Sequence, residues 1–136
     1  MKILILLIPL IVGFNLISAQ IPPRFASLMQ AHLQCQSSSG VSPALLGGIS
    51  SGNIPDDPSV RRHLLCINQR LGIQDSSGNL QMDTISQMAN TMAPPGVDRI
   101  TIQQVVSRCA IQRSNPEDTA FQMDRCLLQS GTSMIG

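Results

Sequence analysis

Apolar residues recur at helical spacing most clearly between Asp57 and Leu71, and the rest of the chain is organised around that stretch. Val60, Leu64, Ile67 and Leu71 fall on one face of a 3.6-residue period. Asp57 is a good N-cap, and Pro58 suits the first helical position, where its missing N–H would find no partner anyway. Gly72 follows as a stop signal. Cys66 lies inside this helix, so any bridge from it staples its partner to a buried element. The stretch reads as the wall of a small hydrophobic container.

The same pattern predicts further helices on both sides. Phe25, Leu28, Met29, His32 and Leu33 keep helical spacing up to Cys35, and Gln36 to Gly40 ends that first helix. Ser42-Pro43 opens a short second helix through Leu45 and Leu46, weakened by Gly47, Gly48 and Gly52. After the central, third helix, Asp75 to Asn79 is a turn by composition. Asp83 is the expected cap of a fourth helix with Ile85, Met88 and Met92 on one face, broken by Ala93-Pro94-Pro95-Gly96. Thr101-x-x-Gln104 matches a capping box, opening a fifth helix with Ile102, Val105, Val106 and Cys109. Asn115-Pro116 opens a sixth, with Ala120, Met123 and Leu127 on one stripe and Phe121, Cys126 and Leu128 beside it. Ser130 to Gly136 is a short tail that ends in Met134 and Ile135. No segment of useful length has strand period. The expected architecture is all-α, a compact single domain of about six helices.

Composition changes this picture at the N-terminus. Lys2 precedes an uncharged run from Ile3 to Ile17, and Ser18-Ala19-Gln20 supplies a cleavage site after Ala19. Residues 1–19 are read as a secretory signal peptide, because the run is shorter than the roughly 20 residues a bilayer needs. The remaining domain, 20–136, keeps eight Arg against eight acidic residues and no Lys. With no basic stripe and few aromatic residues, nucleic acid is not an expected partner. Membrane insertion after signal cleavage is not expected either. Trp and Tyr are absent, so a ligand would meet mainly aliphatic and thioether groups.

Four cysteines in an exported chain read as two disulfides, with three connectivities open. Metal binding is disfavoured by ligand count: His63 reads as a solvated surface residue. His32, on the apolar stripe of the first helix, reads as a satisfied core histidine rather than a pH-sensitive ligand contact. No nucleophile elbow, zinc motif, phosphate loop or calcium loop is present, and the acidic residues are scattered. No enzymatic activity, cofactor or metal is expected.

Cys35, Cys66, Cys109 and Cys126, the Gly78-Asn79-Leu80 turn and the stretch Asn115-Pro116-Glu117-Asp118-Thr119-Ala120-Phe121 carry a resemblance. Together with the export signal and the helix count, they resemble the insect odorant-binding proteins, the pheromone and general odorant-binding group. The cysteines match that family's first, third, fourth and sixth positions. Arg62 and Glu117 stand at the second and fifth, as in four-cysteine "minus-C" members. The resemblance implies bridges Cys35–Cys66 and Cys109–Cys126 and an internal hydrophobic cavity. It also implies that some inward residues line a pocket instead of forming ordinary core. The candidates are Leu28, Met29, Leu64, Ile67, Ile85, Met88, Met92, Val105, Val106, Phe121, Met123 and Leu127, with Met134 and Ile135 as a lid.

The function implied is a secreted carrier that reversibly binds small hydrophobic ligands such as odorants or pheromones, with an olfactory receptor as a further partner. The alternative is a secreted helical interaction protein whose core is solid. Arg62 and Glu117 carry opposite charge, so an ion pair could stand where the missing bridge would be. Glu117 also has a local reason to be acidic, in the first turn of its helix. Either way, that junction is expected to open more readily than a bridged one.

Overall fold

The computed structural model describes residues 25–49 and 52–135, with side chains to residue 131. The signal segment, the start of the mature domain and the Met134 and Ile135 side chains lie outside the described residues. Among the described residues six helices follow one another: α1 (Ala26–Ser39), α2 (Pro43–Leu46), α3 (Pro58–Arg70), α4 (Met82–Met92), α5 (Arg99–Cys109) and α6 (Pro116–Ile135). Among the described residues, the sole β-type pairing is an isolated bridge between Gln74 and Leu80.

α3 forms as expected. Asp57 accepts the Ser59 N–H at 2.8 Å, and its carboxylate also takes the Ser59 hydroxyl. Val60, Leu64 and Ile67 are buried, and Gly72 at φ 74° follows the C-cap, Leu71. The helix packs against α1 on one side and α6 on another. It is therefore the spine of the molecule.

Several boundaries differ from the expected ones. α1 continues to Ser39 because the hydroxyls of Ser37, Ser38 and Ser39 bond back to the carbonyls of Gln34, Cys35 and Gln36. Gly40, at φ 70°, ends it. α4 starts at Met82 with Gln81 as N-cap, so Asp83 sits in the first turn instead of capping. α5 starts at Arg99 because Asp98 accepts the Thr101 N–H at 2.7 Å, so Asp98 is the cap and Thr101 lies inside. Asn115 does cap α6, its side-chain oxygen accepting from the Glu117 and Asp118 N–H groups. The expected tail is helical: α6 runs on through Gly131 to Ile135.

Buried residues form three clusters. Val60, Leu64, Ala120 and Phe121 join Val41 and Ile54 beneath α2, with Leu45, Leu46 and Leu128 packed against them. Ile85, Ile102, Val106 and Met123 hold α4, α5 and α6 together. Ala31, Cys35 and Ile67 join α1 to α3. The disulfides are those the resemblance implied, Cys35–Cys66 with Cα atoms 5.8 Å apart and Cys109–Cys126 at 5.4 Å.

The Gly78-Asn79-Leu80 turn is locked onto α6. Gly78 has φ +85°, and a Cβ there would collide with the Pro116 ring. Gln74 then donates to the carbonyls of both Gly78 and Pro116, at 3.0 and 3.1 Å. A side chain at position 78 would separate these elements.

The cross-junction ion pair is shifted by one residue from Arg62 and Glu117. Arg62 donates to the Ser39 carbonyl at 3.5 Å, on the α1 side. Arg61 pairs with Asp118 at 2.9 Å and with Asp56 at 2.7 Å, bridging α3 to the first turn of α6. One helical residue turns the side chain by about 100°, which decides which neighbour it meets. The Arg61 guanidinium also lies 4.3 Å from the Phe121 ring centroid. Pairs this exposed are screened by solvent and fall well short of a covalent bridge.

Candidate ligand-binding site

The inward faces of α1, α3, α4, α5 and α6 carry the candidate residues, but the structure divides them. Leu64 and Phe121 belong to the cluster under α2. Ile85, Val106, Met123 and Leu127 belong to the α4–α5–α6 cluster, and Leu28 and Ile67 to the α1–α3 cluster. Met88 and Met92 are half-buried beside the Ile85 face of α4. Met29 stands 46 % exposed and outside the packed clusters. Val105 is half-buried and borders an open groove between α5 and α6. Phe121 and Met123, at 0 % exposure, are fully enclosed by their neighbours.

Two polar groups in this interior were not among the expected site residues. The first is a chain centred on Asn68, 3 % exposed on α3. Its side-chain NH2 donates to Gln74 Oε1 at 3.0 Å and to both carboxylate oxygens of Asp124 at 3.2 Å. One amide has two hydrogens, so the two Asp124 oxygens share what Gln74 leaves. Burial pushes the Asp124 carboxyl up to about 7, with the Asn68 bond opposing. A signal was available in the sequence: Asp124 follows Met123 and precedes Leu127 by three, within the apolar stripe of α6.

The second group corrects the reading of His63 as solvated. His63 is fully buried. Its Nδ1 lies 3.1 Å from Ser39 Oγ, and its Nε2 lies 3.0 Å from His32 Nδ1. The two rings meet edge to face, with centroids 4.9 Å apart. Burial, and after it the charge of His32, lower the His63 pKa below its ordinary value. His32 is thus a satisfied, partly buried histidine, as expected, but its partner is another histidine.

These groups give opposite pH dependences. Asp124 binds its proton more tightly folded than unfolded. Its contribution is full below about 4 and lost as pH rises through about 7. His63 binds its proton less tightly folded, so its contribution is present above about 6.5 and lost as pH falls. Asp124→Asn will therefore flatten the fall in melting temperature between pH 4 and 7 while leaving the acid-side loss in place. Parallel melting curves against pH for variant and parent would refute the assignment to Asp124.

A profile of the PBP/GOBP family matches residues 19–130. The chain belongs to the PBP/GOBP family. Among curated relatives, the B2 protein of Tenebrio molitor is 30% identical over 109 residues, covering 80% of this chain and 83% of that protein. Odorant-binding protein 10 of Aedes aegypti is 21% identical over 105 residues, covering 76% and 72%. The fold is similar to that of odorant-binding protein dmelOBP28a from Drosophila melanogaster, with TM-score 0.66 at 17% identity, covering 81% and 93% of the two chains. It is also similar to odorant-binding protein 7 from Anopheles gambiae, with TM-score 0.64 at 20% identity, covering 85% and 93%. That solved structure has four disulfide bridges and holds an azo compound. With two disulfides, this PBP/GOBP member is of the four-cysteine type. No described helix is long and apolar enough to cross a membrane.

Proposed function

We propose that this protein is a secreted carrier that reversibly binds small hydrophobic molecules of the odorant or pheromone kind. In this reading residues 1–19 are removed on export, residues 20–136 form the carrier, and an olfactory receptor is a downstream partner. Binding and release need no bond chemistry, only a change in the shape or access of the interior.

The observation that carries the proposal is the match of residues 19–130 to the PBP/GOBP family, on a helical fold similar to that of odorant-binding proteins. Half-buried Met88, Met92 and Leu127 supply adaptable apolar surface on α4 and α6. A structural neighbour that holds an azo compound points the same way. The rival reading, a helical interaction protein with a solid core, draws on the complete enclosure of Phe121 and Met123.

A fluorescent apolar probe separates the two. The carrier reading expects the probe to bind and to be displaced by aliphatic alcohols or esters at about micromolar concentration, roughly 8 kcal/mol of binding. Met88→Gln will weaken such ligands by about 1–3 kcal/mol. A folded protein that binds no displaceable probe would favour the solid-core alternative.

A further inference from the structure

Between α5 and α6 lies an open groove of about 600 Å³, which takes Val105 but none of the other candidate residues. α5 lines it with Thr101, Gln104, Val105 and Arg108, and α6 with Gln122, Arg125 and Gln129. The α5 set falls at i, i+3, i+4 and i+7 and the α6 set at i, i+3 and i+7, so each is one stripe of its helix. The Cys109–Cys126 disulfide lies in the lining and ties the two helices together. Arg113, from the loop joining them, adds a third guanidinium.

The charge here is one-sided. No carboxylate lines the groove. Among the described residues the ion pairs belong to Arg61, with Asp56 and Asp118, and none involves Arg108, Arg113 or Arg125. Arg125 acts at longer range on Asp56, and Arg113 on Asp118, but Arg61 already engages both carboxylates. Arg108 is steadied by donating to Ser130 Oγ at 3.3 Å, and Arg99 lies with it in an adjoining concavity. Three arginines therefore line one groove that has no carboxylate in its lining, together with the apolar Val105 and a disulfide, while Arg125 also lies 5.8 Å from the Phe121 ring centroid.

We propose that this groove binds the anionic head of a small amphiphile, a carboxylate, sulfate or phosphate, with the adjoining alkyl group against Val105 and the disulfide. Planar guanidinium forks match two oxygens of such a head at once, and the Gln104 amide offers a further donor. All three arginines are exposed, so the attraction is screened and falls as salt rises. The site is independent of the interior carrier reading. The same head chemistry could come from a soluble amphiphile or from a membrane lipid.

The test uses the mature chain with butyl phosphate as the soluble probe and butanol as its neutral control, followed by backbone amide shifts. Butyl phosphate, but not butanol, should shift the amides of residues 104–113 and 122–130, and added salt should weaken it. The triple variant Arg108→Gln, Arg113→Gln, Arg125→Gln should bind it at least about tenfold more weakly. The matching variant Arg108→Lys, Arg113→Lys, Arg125→Lys keeps the charge without the fork and should fall between. The far-ultraviolet circular dichroism of both should match the parent's, which shows that they fold. Retention on phosphatidylglycerol but not phosphatidylcholine vesicles, lost in the glutamine variant, assigns the head to a lipid. Butyl phosphate binding without vesicle retention assigns it to a soluble amphiphile. Equal shifts with butanol, or unchanged affinity in the glutamine variant, would overturn the proposal.

Discussion

Phe121→Ala will cost about 3–5 kcal/mol of folding stability, the range for truncating a large buried ring. Phe121 has no exposure, and Val60, Leu64 and Ala120 of α3 and α6 pack in the same cluster. The Arg61 guanidinium covers one face at 4.3 Å from the centroid while it pairs with Asp118. Removal of the ring thus opens a cavity at the α3–α6 junction and strips Arg61 of a stacking surface. The Arg61–Asp118 pair and the Asn68–Asp124 bonds still span the junction, but neither fills the space the ring leaves. Urea unfolding measures the loss, and a midpoint within error of the parent would show that the α3–α6 junction does not depend on this ring.

Replacing Cys35 and Cys66 with alanine will destabilise the protein by about 3.7 kcal/mol, against about 3.2 for Cys109 and Cys126, on loop entropy alone. The sequence separations are 31 and 17 residues, and opening the longer loop frees more unfolded-chain entropy. Packing widens the gap. α1 buries only Ala31, Cys35 and Ser39 among its own residues, while Met29 and Leu33 stand 46 % and 63 % exposed. Its attachment to α3 rests on the bridge, on a small apolar cluster of Ala31 and Ile67 with Leu28 and Leu71, and on the Ser39–His63–His32 and Gln34–Arg70 contacts. α5 and α6 keep Ile102, Val106 and Met123 packed together even without their bridge. Hydrogen exchange on the Cys35→Ala, Cys66→Ala variant should show α1 amides opening first. Protection of α1 equal to that of α3 would mean that the non-covalent contacts suffice to hold it, contrary to this account.

Much of the frame was legible in the residues because its causes are local. Asp57-Pro58 and Asn115-Pro116 begin helices where their cap geometry says they should, since a cap needs only the next few N–H groups. The stripes Val60, Leu64, Ile67 and Ile102, Val106 are buried because period and apolarity are properties of a short window. Boundaries moved where two caps competed, as Asp98 over Thr101 shows, or where serines bonded back and carried α1 on to Ser39. The cysteine pairing was open in the residues and came from family resemblance.

What only the tertiary structure decided depends on distance across the fold. A phase difference of one residue gives Asp118 to Arg61 and turns Arg62 toward Ser39. The place of Asp124 in the apolar stripe of α6 hints at burial and His63 looks ordinary in sequence, but the shifted protonation of both comes from helices packed over them, because desolvation is set by surroundings and not by neighbours in the chain. Arg108, Arg113 and Arg125 are scattered along a chain that shows no basic stripe. The packing of α5 against α6 gathers them, since like charges separated in sequence share a field once a fold brings them to one groove. The sequence determined which helices form and which faces they bury; only the packing of those faces decided where charge and polarity concentrate.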